Sequence, residues 1–387
     1  GKWLEDVGPR TTMFTAACAF GGGFIVSAIG VWTHQIWLLY LGYGVFGGIG
    51  LGLGYVSPVS ALIKWFPDRR GMATGMAIMG FGGGALIGAP LAIALMNLFE
   101  TDSSVGVAPA FIVMGVVYFL SMSLGAFAIR VPSADWKPEG WEPEKSEDQD
   151  DGMVTQNDVH IDTALKTPQF WLLWAVLCLN VTAGIGVLGQ ASVMIQETFG
   201  GAITAAAAAG FVSLLSIFNM VGRFFWSSTS DYIGRKMTYF VFFAFGAALY
   251  ATVPIVGAAM GSLILFVFAY GIIISMYGGG FATIPAYLAD MFGTKYVGGI
   301  HGRLLTAWSA AGVLGPVLVN YIREAQINSG VAPENAYNIT MFIMAGLLVV
   351  GFVCNLLIKP VDPKYHMETE EEEQTASGGA TGKPAEA

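Results

Sequence analysis

The sequence predicts an all-α membrane protein built from two repeated halves, and three observations predict it. Of 387 residues, 55% are hydrophobic and only 12% charged, against roughly a quarter charged in soluble domains. Ten stretches are continuously apolar over about 20 residues, the length a helix needs to cross a hydrocarbon core of about 30 Å. Two charged loops carry one pattern at a fixed separation along the chain.

The apolar stretches lie near 11–31, 37–63, 72–97, 109–129, 168–194, 203–226, 237–258, 261–287, 304–325 and 338–358. Strands of a closed barrel would alternate apolar and polar residues, so a barrel is excluded. The net charge of -9 comes mostly from acidic segments at 135–162 and 362–373; they read as solvated linker and tail rather than a nucleic-acid surface. The chain divides into a first half at 1–130, a linker at 131–166 containing Trp136 and Trp141, a second half at 167–360, and a disordered acidic tail at 361–387. Cys18, Cys178 and Cys354 are scattered within spans and read as small packing residues.

Lys and Arg gather on the cytoplasmic side of membrane proteins. Of the eighteen here, sixteen fall at one side of the ten spans, Arg323 at the other, and Arg223 within a span. Both visible ends are therefore expected in the cytoplasm. The repeat has an offset of 226 residues: it superposes Glu5 on Asp231, Gly8 on Gly234, Arg10 on Lys236, and Phe66 on Phe292. In the second half the charged loop follows two spans with no counterparts ahead of "GKWLEDVGPR". Two further helices are thus expected upstream, giving a six plus six plan in which parallel repeats mark one large class of transporters.

At these loops the sequence resembles the major facilitator superfamily. Its signature between helices 2 and 3 is seen in Gly1, Glu5, Gly8 and Arg10, with Glu5 standing where Asp is usual. Its echo between helices 8 and 9 is Asp231, Gly234, Arg235 and Lys236. The resemblance implies the superfamily fold with ten of twelve transmembrane helices present, 1–130 supplying helices 3 to 6 and 167–360 supplying 7 to 12. It also implies that these loops gate the cytoplasmic face. More narrowly, "KWFPDRRGMATGMAIMGFGGG", "KTPQFWLLW", "FNMVGRFFW" and "DMFGT" resemble the oxalate:formate antiporter family.

One formally charged residue falls in mid-span. Arg223 lies eight residues before Asp231, about 12 Å along a helix at 1.5 Å per residue. An arginine at a span's centre costs about 2.5 to 3.5 kcal/mol on insertion scales, so it normally faces a cavity and is paired. No Asp or Glu of the ten spans lies at comparable depth. Its partner is an anionic substrate, a carboxylate on the upstream helices, or water and backbone; the plain alternative is snorkelling to the interface. Tyr55, Phe81, Tyr277 and Trp308 fall at similar depth and form a candidate apolar box around it, although each alone reads more readily as packing than as ligand. The resemblance places a substrate-binding arginine at Arg223 and a cavity tyrosine at Tyr55. It also places Trp308 where the antiporters have a lysine, which removes the second countercharge a dianion such as oxalate needs.

The expected function is exchange of small monocarboxylates, such as formate, lactate or pyruvate, by alternating access. The rivals are a proton-coupled monocarboxylate symporter and, in another class, a non-transporting receptor. No nucleophile–base pair, metal cluster or cofactor motif points to an enzyme. The glycine triplets at 21, 82 and 278 lack the strand and the Lys-Ser or Lys-Thr ending of a phosphate loop. Gly80, Gly84 and Gly88 read instead as a close-packing face, and Pro90 and Pro316 as helix bends. His34, His160, His301 and His366 are expected in loops or tail, with no proton relay among them. The expected partners are a small organic anion and the bilayer, without nucleic acid, metal or cofactor. A monomer in a prokaryotic inner or plasma membrane is expected.

Overall fold

The computed structural model describes residues 2–133, 136–141, 153–155 and 157–367. Gly1, most of the acidic linker and the tail from 368 onward lie outside the described residues. Among the described residues, ten helices are long and apolar enough to cross a membrane: α1 Lys2–Trp32, α2 Ile36–Trp65, α3 Arg70–Leu98, α4 Val107–Ala128, α5 Pro168–Thr198, α6 Ala205–Ile233, α7 Arg235–Gly257, α8 Leu263–Phe292, α9 Val297–Asn328 and α10 Pro333–Leu357. The protein is an all-helical bundle of two pseudo-symmetric halves.

Local chemistry sets several boundaries. Thr167 caps α5, its Oγ1 accepting from Phe170 N at 3.3 Å, with Pro168 in the first turn; proline tolerates that position because its missing N–H would be unpaired anyway. Thr204 caps α6 in the same manner. Gly234 separates α6 from α7 with φ 83 and ψ 152, and Gly8 interrupts α1 with φ 79 and ψ 166. These angles suit a residue without Cβ. The same turn therefore recurs at positions 226 residues apart, and the repeat read in the sequence is a repeat of backbone conformation.

Three of the elements whose bounds differ from expectation do so for a visible reason. α1 starts at Lys2 because the turn at Gly8 redirects a helix instead of opening a loop. α8 continues to Phe292, since the charge of Asp290 is paired and does not end it. α9 begins at Val297 with a short helix to Leu304, then continues from Thr306. The segment "VGGIHGRL" reads as loop because His301 and Arg303 interrupt its hydropathy.

In the first half α1 packs on α2 and α4; in the second, α5 packs on α9 and α10, α6 on α8, and α7 on α10. The halves meet chiefly where α3 lies against α6. That contact needs glycine: a Cβ on Gly71 or Gly75 would overlap Ser227. A Cβ on Gly82 would come 2.8 Å from Arg223 Nε. Gly80 and Gly84, expected to make the close approach, have nothing within 4 Å, while Gly88 meets only the Tyr118 hydroxyl at 3.5 Å. They lie on the wrong side of α3; the face carrying 71, 75 and 82 meets the other half.

The end of the linker is strapped to the Lys/Arg-rich end of the bundle. Thr155 N donates to Asp290 O at 2.7 Å and Val159 N to Phe292 O at 2.9 Å. Arg303 donates to Ile161 O at 2.9 Å and to Asp162 Oδ1 at 2.6 Å.

Candidate functional site

At the Lys/Arg-rich end, each half supplies a carboxylate to a helix start in the other. Asp231, ending α6, accepts from Gly71 N and Met72 N of α3 at 2.8 Å each. Glu5 of α1, its repeat partner, accepts from Gly299 N of α9 at 3.2 Å. A carboxylate here satisfies amides that begin a helix and faces the positive end of its dipole. Arg235 pairs with Asp231 at 2.6 Å and Asp290 at 2.9 Å, and Arg70 reaches Asp290 from the other half at 2.9 Å. Lys64 lies 3.6 Å from Glu5. Arg10 behaves differently: it donates to Phe127 O at 2.8 Å within its own half. Gly8 and Gly234 make the turns that aim Glu5 and Asp231. This network joins the halves and closes that end.

Further into the bundle, α6 carries Arg223 with only 2% of its surface exposed. Its Nε donates to Asn219 Oδ1 at 3.0 Å, one turn earlier, and Nη1 to Ile78 O of α3 at 3.5 Å. The guanidinium carbon lies 5.3 Å from the Phe81 ring centre and 5.2 Å from that of Phe281, a range in which ring quadrupoles attract a cation. Among the described residues no carboxylate pairs with it, and the hydroxyls of Tyr277 and Tyr55 lie nearby. Snorkelling is thereby ruled out for this conformation: the side chain is sheathed in rings and backbone, not extended to an interface.

The expected aromatic residues converge. Tyr55 lies 6.0 Å from Phe81 and 5.2 Å from Phe281, ring centre to ring centre. Trp308 lies 6.0 Å from Phe81 and 5.4 Å from Phe281. Tyr277 stands one helical turn before Phe281 and presses its ring against Gly184. The box draws Tyr55 and Phe81 from the first half, and Arg223, Tyr277, Phe281 and Trp308 from the second. Phe81 is 40% exposed, so the box has an accessible wall.

Sequence reasoning missed Asn219, Phe281 and His301. The signal for the first two was the triplet before Phe281. A Cβ on Gly278 would meet Asn219 Oδ1 at 2.5 Å and one on Gly279 the Trp226 side chain at 2.6 Å, so α8 closes tightly on α6 beside Arg223. His301 is in the first helical segment of α9, not in a loop, with 1% exposure and its ring 5.6 Å from that of Tyr55. A separate cavity of about 820 Å³, lined by Asp68, Arg70, Trp141, Asp231, Arg235 and Asp290 among others, opens outside the ion-pair network; none of Arg223's ring neighbours borders it.

This arrangement, a closed charged end and an inner cation shared between repeated halves, coincides with a family match. The Major Facilitator Superfamily model matches residues 1–316. The chain belongs to that superfamily. An oxalate:formate antiporter of Oxalobacter formigenes is 28% identical over 365 residues, 93% of this chain and 78% of that protein. Apicoplast pyruvate carrier 1 of Toxoplasma gondii is 24% identical over 417 aligned positions, 95% of this chain and 74% of the carrier. Among solved structures, the superfamily transporter FucP in an outward conformation is similar with TM-score 0.64 at 14% identity, covering 92% of this chain and 84% of that one. The superfamily assignment points to a transporter rather than an enzyme.

Proposed function

We propose that the protein carries small monocarboxylates across the membrane by alternating access, exchanging one for another. The observation that carries this reading is Arg223: a buried guanidinium, without a carboxylate among the described residues, boxed by aromatic rings at the meeting of the halves. A planar guanidinium donates two parallel hydrogen bonds to a carboxylate. A bound monocarboxylate neutralises it, so the loaded carrier can occlude without an uncompensated charge. The empty one pays desolvation instead, which favours exchange over net flux.

Relatives that handle oxalate, formate and pyruvate support the carboxylate class. Trp308 argues for one carboxylate rather than two, since it brings rings and no second cation to the box. With the Lys/Arg-rich end taken as cytoplasmic, the closed ion-pair network corresponds to an outward-facing carrier, as in the similar FucP structure. The test is counterflow of labelled pyruvate, lactate and formate in proteoliposomes. Arg223→Gln should abolish it, and wild-type rates in that variant would refute the proposal.

A further inference from the structure

We propose that the cavity outside the ion-pair network binds the headgroup of an anionic phospholipid, and that a lipid held there stabilises the closed Lys/Arg-rich end. The proposal goes beyond carboxylate transport and does not depend on which substrate is carried.

The cavity, about 820 Å³, has the size of a ligand site, and both halves enclose it. Asp68 and Arg70 come from the first half; Lys236 and Phe240 of α7, Tyr287 of α8 and Asn355 of α10 come from the second. Three of these residues carry a buried polar atom that, among the described residues, has no hydrogen-bond partner: Arg70 Nε, Tyr287 Oη and Asn355 Oδ1. Tyr287 is 1% exposed and Asn355 is fully buried. A buried polar atom left unpaired is costly, and a ligand group that reaches it removes the cost.

Lys236 supplies the charge. The three carboxylates at the cavity are already balanced: Asp231 pairs with Arg235 and accepts from Gly71 N and Met72 N, Asp290 pairs with Arg70 and Arg235, and Asp68 lies 3.8 Å from Arg69. With Arg69 included, four cations (Arg69, Arg70, Arg235, Lys236) face three carboxylates, an excess of one positive charge. Among the described residues Lys236 has no carboxylate partner. Its Nζ donates to Ile358 O at 2.7 Å, and an ammonium has two further hydrogens to give. Donors therefore outnumber acceptors: Lys236, Arg70 Nε and the Tyr287 hydroxyl stand against the Asn355 oxygen. A phosphate diester takes the donors, and a headgroup hydroxyl donates to Asn355 Oδ1.

The rim makes the source a lipid. Ile233, Met237, Phe240 and Leu356 border the cavity and are exposed at the ends of α6, α7 and α10, where such side chains meet acyl chains. Tyr232, on the same rim and 82% exposed, is the kind of amphipathic ring that marks the membrane–water interface. Basic pockets between transmembrane helices on the cytoplasmic side take anionic headgroups. A soluble phosphate would use the donors and leave the apolar rim idle. Arg70 and Lys236 belong to different halves, so a phosphate shared by them is held only while this end is closed. A ligand that binds one of two states better shifts the population toward it.

The test offers the full chain equal amounts of phosphatidylglycerol and phosphatidylcholine and counts retained lipid by native mass spectrometry. The wild type should keep about fivefold more of the first, the equivalent of about 1 kcal/mol for one cation at a lipid surface. Lys236→Gln should bring the ratio to about one, and Tyr287→Phe should lower it independently, which covers a Lys236 variant that fails to fold. Lys295→Gln, which removes an exposed cation outside the cavity, should leave it unchanged. In phosphatidylcholine vesicles, adding phosphatidylglycerol should slow maleimide labelling of a thiol at buried Thr74 about fivefold, and the slowing should vanish in Lys236→Gln. A full preference in Lys236→Gln or Tyr287→Phe overturns the proposal, as does labelling that ignores the lipid. An equal loss in Lys295→Gln also overturns it, because the attraction would then belong to the basic end as a whole. Glycerol phosphate that protects the thiol as well as phosphatidylglycerol does would assign the cavity to a soluble phosphate and overturn the lipid. Failure of carboxylate counterflow would leave each of these outcomes as it stands.

Discussion

The Asp231 carboxylate and the Gly71 amide nitrogen lie 2.8 Å apart across the boundary between the halves. This one bond joins the end of α6 to the start of α3, and its repeat, Glu5 to Gly299, joins α1 to α9. The closed end is thus held by two related carboxylate-to-helix contacts, reinforced by Arg70 and Arg235 on Asp290.

Asp231→Asn should loosen that end. The carboxylate accepts two backbone bonds and pairs with Arg235, and bonds to charged groups contribute about 1.5 to 3 kcal/mol. A loss of about 2 kcal/mol shifts the balance between closed and open by roughly thirtyfold. A thiol placed at buried Thr74 should then react faster with an impermeant maleimide added at the Lys/Arg-rich side. Unchanged labelling would mean that the network does not set the closed state.

Gly75→Ala should destabilise the bundle while Gly80→Ala should not. The added Cβ at 75 overlaps the Ser227 hydroxyl and stands 2.9 Å from Arg223 O, whereas at 80 it meets nothing within 4 Å. Overpacking of this kind costs about 1 to 3 kcal/mol. Thermal denaturation in detergent should show a lowered Tm for the first and an unchanged or raised one for the second, where alanine is the better helix former.

Both glycines lie in one small-residue run, and only depth and facing separate them. That is why the fold was legible in the sequence and the packing was not. Continuous hydropathy gave the ten spans, and Gly8 and Gly234, at one offset, gave the repeat whose φ values agree. Arg223 stood out because a charge at lipid depth is costly. Asn219 and Phe281 did not, because an amide one turn before an arginine and a phenylalanine after three glycines are ordinary in a membrane helix. Their roles arise from α8 closing on α6. His301 was hidden by Arg303 and the glycines around it, which make a short buried helix look like a polar loop.

Asn219 should position Arg223 rather than hold substrate itself. Its Oδ1 accepts from Nε at 3.0 Å, leaving Nη2 and the second hydrogen of Nη1 to meet a carboxylate. Asn219→Ala should raise KM about tenfold, the equivalent of about 1.4 kcal/mol, with a smaller change in maximal rate. Asn219→Asp is the sharper variant: a carboxylate at the same place would pair with Arg223 and compete with the substrate. Counterflow should be lost in a protein that keeps its Tm. Normal counterflow in Asn219→Asp would show that the cation is not the anion site.

The linker strap should be indifferent to pH between about 5 and 8. The Arg303 hydrogen bond holds the Asp162 carboxyl below its ordinary value of 3.8. A group lowered by folding contributes fully above its unfolded value and loses that contribution only as pH falls through the folded one. Between about pH 5 and 8 Asp162 is therefore ionised throughout, and the strap keeps its contacts to Arg303. Hydrogen exchange at Thr163 and Ala164, corrected for intrinsic rates, should match at pH 5 and 8, and should quicken in Arg303→Gln at both.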